Sequence, residues 1–132
     1  MYDKPLTITH ALLIDFGATV AESITGPVGA QGFIRHIGIC NVTEVFADPT
    51  AVTVGLAADA DEFATFTPSA IADGSSEAFA DTDGPSGIYA DRVVPADTEI
   101  LIAAAAATTG IGTLHVVIDW NQSQPRPTGT PA

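Results

Sequence analysis

The chain has 132 residues with 16 acids against four bases (Lys4, Arg35, Arg92 and Arg126), a formal net charge of −12 and one cysteine. That balance disfavours a nucleic-acid partner or an anionic membrane surface, both of which are held by Lys and Arg, and the lone Cys40 excludes an intramolecular disulfide or a cysteine-rich zinc site. The length fits one domain burying roughly two-thirds of its unfolded surface. The leading residues lack the pattern of a secretory signal, and the longest apolar run, Ile100 to Ala107, is far short of the ~20 residues of a membrane span, so folding in a cytoplasm is expected.

Residues 1–5 form a short leading arm. From Leu6 to Phe16 the chain alternates, with Ile8, Leu12, Ile14 and Phe16 on one face, Thr7, Thr9, Ala11 and Asp15 on the other, and His10 on the apolar side. Across Gly17, a bend or hairpin leads to a segment pairing Val20 with Ile24 on one face. Gly26 to Gly32, GPVGAQG, reads as a turn.

Phe33 to Phe46 is extended, but its alternation breaks. Phe33, Ile37 and Ile39 share one parity, whereas Ile34, Cys40 and Val42 share the other, and a bulge near Gly38 would return both halves to the core. After the turn at Asp48-Pro49, a short strand points Val52, Val54 and Leu56 inward. Residues 57–87 then form a long acidic loop with apolar anchors at Phe63, Phe66, Ile71 and Phe79, in which Ala57 to Ala64 could make one helical turn.

Ile88 to Val94 returns to strand and leads into two neighbouring strands joined by a glycine-containing turn. Ile100 to Ala107 carries no polar residue, which asks for cover on both faces. A helix capped by Asp97 and ended by Gly110 competes there, but it would be apolar all round, and a strand is the better reading. Leu114, Val116, Ile118 and Trp120 alternate with Thr113, His115, Val117 and Asp119. The domain spans residues 6–120, and residues 121–132 form a proline-rich C-terminal arm. Six to eight short strands without an amphipathic helix predict an all-β fold, an antiparallel β-sandwich or jelly-roll-like barrel with one long acidic loop and extended terminal arms.

No catalytic, cofactor or metal motif emerges. Asp59, Asp61 and Glu62, with Asp81 and Asp83, offer oxygen ligands, but Asp81-Thr82-Asp83-Gly84 places glycine too early for a calcium loop, and a solvated loop explains them. His10, His36 and His115 lie on separate strands without ligand spacing, so structural roles are expected. No Gly-x-Ser-x-Gly elbow is present, and Cys40 falls mid-strand, where a buried thiol is inert. Asn41-Val42-Thr43 and Asn121-Gln122-Ser123 fit the glycosylation sequon by chance in a chain expected to stay out of the secretory path. The glycine-rich turn precedes a strand, so it cannot offer a helix N-terminus to phosphate.

The runs SITGPVGAQGFIRHIGICNVTEVF, VGLAADADEFATF and VPADTEILIAAAAATTGIGTLHVVIDW, covering most of Ser23 to Trp120, resemble the small β-rich virion proteins of tailed bacteriophages, particularly head decoration or cement proteins. The resemblance implies a β-sandwich on the outer surface of the capsid, commonly a homotrimer, that clamps adjacent major capsid protein subunits. It is a likeness of style rather than of a diagnostic motif. Within it, interface residues are expected at Tyr2, Lys4 and Pro5 in the leading arm, at Phe63, Phe66 and Phe79 in the loop, and at Pro125, Arg126 and Pro127 in the tail, because aromatics and Arg dominate interfaces. The Phe anchors have an equal claim to pinning the loop onto its own core. A carbohydrate-binding or host-attachment module is the rival reading, with Trp120, Tyr89 and Tyr2 too scattered to form a stacking platform. A head-completion or tail protein is a further alternative.

Overall fold

A computed structural model describes residues 6–79, 83 and 87–122. Among these residues the chain is all-β, with no helix, and forms two antiparallel sheets over one core, as an antiparallel sandwich requires. The strands are β1 (Leu6–Asp15), β2 (Val20–Thr25), β3 (Ala30–Ala47), β4 (Val52–Gly55), β5 (Ala64–Phe66), β6 (Glu77–Ala78), β7 (Val93–Val94), β8 (Glu99–Ala104) and β9 (Thr109–Gln122). One sheet runs β1-β9-β3-β6, with β7 also on β3, and the other runs β2-β8-β4-β5.

β9 is the centre of the first sheet because its period-two pattern fits a pleated strand: Leu114, Val116, Ile118 and Trp120 are buried, while Thr113, His115, Val117 and Asp119 face outward. It pairs along its length with both β1 and β3. The Trp120 indole lies against Gly26 and Gly32, where an added Cβ would stand 2.4 and 2.7 Å from ring carbons. Gly26 in the β2–β3 turn and Gly32 in β3 therefore leave the space that this indole occupies. On the far side, Trp120 Nε1 donates to His10 Nε2 at 3.0 Å.

Several expectations need correction. The strand reading of residues 100–107 holds for β8, but β8 and β9 are not paired; residues 105–108 carry the chain from one sheet to the other. Nor is β8 covered on both faces. Ile100, Ile102 and Ala104 are buried, whereas Leu101 and Ala103 are half-exposed, because alanine lets a strand look apolar without requiring two-sided cover. β1 and β2 are joined by a bend across which the chain changes sheets, with Gly17 N donating to Asp15 Oδ1 at 2.8 Å.

In β3 the register shifts between Ile34 and His36 and again beyond Cys40, rather than at Gly38. Ile34 and Ile37 both reach the core across the first irregularity, and Phe33 turns outward. Asn41, with φ at 49°, accompanies the second, and Val42 and Phe46 regain the core beyond it. The left-handed conformation there is one that Asn tolerates. Leu56 is half-buried rather than fully inward, and Ala57 to Ala64 contains turns and the start of β5, not a helical turn.

The described residues between 57 and 94 are not a loose loop. Phe63 N bonds Val54 O, Thr65 N bonds Ile88 O, Phe46 N bonds Ile71 O, Gly74 N bonds Val42 O and Phe79 N bonds Ile37 O. Residues 71–79 thereby run along the free edge of β3, residues 88–90 lie along that of β5, and together they close one side of the sandwich. Only Val93–Val94 of the expected strand at 88–94 is regular, with Tyr89 bridging Ala64 and Asp83.

Candidate functional site

Phe63, Phe66 and Phe79, expected at an interface, are instead 1%, 5% and 8% exposed. Phe66 and Phe79 rings meet at 4.3 Å. An aromatic inside a polar loop can point either way; here the nearest core is the chain's own, so these side chains are not offered to a partner. Tyr2, Lys4, Pro5, Pro125, Arg126 and Pro127 lie outside the described residues. The strand before the C-terminal arm runs two residues past Trp120, to Gln122.

The closed side is held by Arg92. Its guanidinium sits 4.0 Å from the Tyr89 ring centroid and 5.6 Å from that of Phe33, donates from Nε to Asp83 at 2.8 Å, and donates from Nη1 to Ile34 O at 3.3 Å. The side chain is largely buried, while Asp83 is exposed. The stacking and the carbonyl contact therefore contribute more than the ion pair, which solvent screens.

The three histidines do not converge. His10 stands edge-on to Trp120 at 5.9 Å, and burial lowers its pKa. Because Nε2 accepts the indole proton, the neutral ring carries its own proton on Nδ1. His36 and His115 stack at 5.5 Å on the outer face of the first sheet, where Gly38 leaves room for the His115 ring. The His115 pKa is lowered by burial first and by His36 second. Among the described residues, no three His, Cys, Asp or Glu side chains are placed to hold a metal ion. Cys40, expected to be buried, is half-buried beside Thr113. Glu62 has its pKa raised, chiefly by its hydrogen bond with Asp59 and then by burial and neighbouring acids, as in a solvated acidic turn.

Among the described residues, what remains is surface. Leu6 (56% exposed), Leu13 (66%) and Val28 (87%) are large apolar side chains in water, as are Phe33, Val45 and Val93 to a lesser degree. Phe33 and Val93 pair across β3 and β7 and line a groove of about 320 Å³ with Arg35, Asp119 and Gln31. Arg35 is tied to Asp119 at 3.1 Å. Leu13 stands on the outer face of β1 among Thr9, Ala11 and Asp15, a position the sequence reading passed over, whereas Phe33 faces outward only because the irregularity in β3 falls where it does. Comparison with protein-family models, with curated proteins and with solved structures finds no match.

Proposed function

We propose that the protein is a virion structural component, a decoration or cement protein that binds the outside of a tailed-phage head and links neighbouring major capsid subunits. The observation that carries this reading is the contrast between a strongly acidic chain and a surface that nevertheless presents large apolar side chains and unpaired strand edges, the features of a protein built to be gripped. The resemblance of the sequence to phage head decoration proteins supplies the identity of the particle. Each copy would make modest contacts through its arms and exposed sheet, and several contacts acting together would make release slow.

Adding the purified protein back to heads stripped of accessory proteins tests this directly. The full chain should occupy the outer surface, and deletion of residues 1–5 or 123–132 should lower occupancy while the sandwich stays folded. A folded full-length protein that leaves stripped heads bare would overturn the assignment.

A further inference from the structure

We propose that the free edge of β1 pairs antiparallel with β1 of a second copy of this chain, across a two-fold axis close to Ala11, so that the first sheet continues from one copy into the other. β1 ends its sheet, and among the described residues no strand lies beyond it. A ten-residue edge presents unpaired N–H and C=O groups along its length, and proteins usually blunt such an edge with Lys, Pro, a bulge or a covering loop. LTITHALLID contains no Lys, Arg, Pro or Gly, and its register against β9 is unbroken. The opposite edge, on β3, is blunted by β6, β7, Arg92 and the backbone bonds of residues 71–79. Among the described residues, one edge is therefore protected elaborately and the other is bare.

The occupant follows from three observations. Because the β3 edge is filled, a head-to-tail pairing of β1 with β3 is closed off, and of the remaining edges the six-residue β2 is too short to cover the ten residues of β1, whereas an isologous β1–β1 contact matches the edge along its whole length. Centred on Ala11, the pairing sets Ala11 against the partner's Ala11, Thr9 against the partner's Leu13 and Thr7 against the partner's Asp15 on the outer face. On the inner face it sets Ile8 against the partner's Ile14 and His10 against the partner's Leu12. Like faces meet, and the half-buried Ile8, His10 and Leu12 gain cover that the six-residue β2 does not give them. The third observation is charge. Two chains of −12 repel almost anywhere on their surfaces, but Leu6 to Ile14 carries no acid or base other than His10, and the single acid of the strand faces Thr7, whose hydroxyl is donated to Asp119, itself tied to Arg35. This geometry differs from the three-fold arrangement that the resemblance implies, and it stands or fails separately from binding to a head.

Light scattering of the full chain across a dilution series should give twice the 13.5 kDa chain mass at the concentrated end. Ala11 is exposed on the outer face, so Ala11→Lys leaves the fold intact while placing two ammonium groups together at the axis. It should give a folded monomer, as should Ala11→Glu, and mixing the two variants should restore the pair. In a Cys40→Ser background, Ala11→Cys should cross-link on mild oxidation, since facing Cα atoms in an antiparallel pair lie about 4.5–5.5 Å apart, within disulfide reach, whereas Val28→Cys should not. A wild-type chain that is monomeric at every concentration would overturn the proposal, as would a dimer or trimer that survives Ala11→Lys or one that Ala11→Cys does not cross-link.

Discussion

The two long sides of the sandwich are built on opposite rules. Along β3 and β5 the described residues between 71 and 94 supply backbone partners, buried aromatics and the Arg92 clip, so that both sheet edges are satisfied within the chain. Along β1 and β2 nothing among the described residues does the same. A chain that seals one side with short strands and irregular backbone has the means to seal a ten-residue strand, and an edge left open among the described residues, at the cost of an association hazard, points to use. The long acidic segment is thus a structural seal, and the regular, unremarked β1 is the place where another molecule can attach.

The largest effect expected from breaking the sealed side is on stability. Phe63→Ala removes a side chain that is 1% exposed from beneath the seal and should lower unfolding free energy by about 3–5 kcal/mol. Leu13→Ala on the open side should cost the isolated chain within about 0.5 kcal/mol, since that side chain is mostly in water. Denaturant titration of dilute protein measures both. Equal losses would erase the distinction between the sides.

Arg92→Ala should have an intermediate effect, about 1–2 kcal/mol, through loss of the Tyr89 stacking and the Ile34 carbonyl contact. Its signature is local: amides of residues 88–94 should exchange faster while β9 stays protected. Unchanged exchange there would mean that the backbone bonds hold the seal without the guanidinium.

The smallest effect comes from pH at β1. Burial holds His10 below its ordinary value of 6.5 in the fold, so the unfolded chain takes up the proton more readily. His10 therefore costs nothing well above that value, and stability falls as pH drops through it, by at most about 1.4 kcal/mol per pH unit. Protonation would also put a proton on Nε2 facing the Trp120 donor. His10→Gln, which does not titrate, should fall less in stability than wild type between neutral and mildly acidic pH, so that the difference between the two profiles changes with pH. Parallel pH profiles would show that His10 is not the sensing group.

The sandwich was legible because β1, β2, β4 and β9 carry period-two patterns that a pleated strand reads directly, and β8 could be separated from a helix by how much cover each would need. The irregularity in β3 was legible as a parity break but not as a position, since moving it from Gly38 to Arg35 alters which of Phe33 and Ile34 is inside without changing composition. Three properties depend on partners far apart in the chain: the burial of Phe63, Phe66 and Phe79, the bond between His10 and Trp120, and the sealing of one side. No local pattern marks those pairings. The open edge was hidden for the opposite reason, because a strand reads the same whether one neighbour or two lies beside it.

Among the described residues one side of this sandwich is finished, and by the pairing proposed above the other awaits a second copy. Amide hydrogen exchange of the full chain at low and at high protein concentration tests it most directly. Protection of alternate β1 amides should rise with concentration while that of β3 and β5 stays constant. Protection along β1 that is independent of concentration and equal to that of β3 would contradict the account.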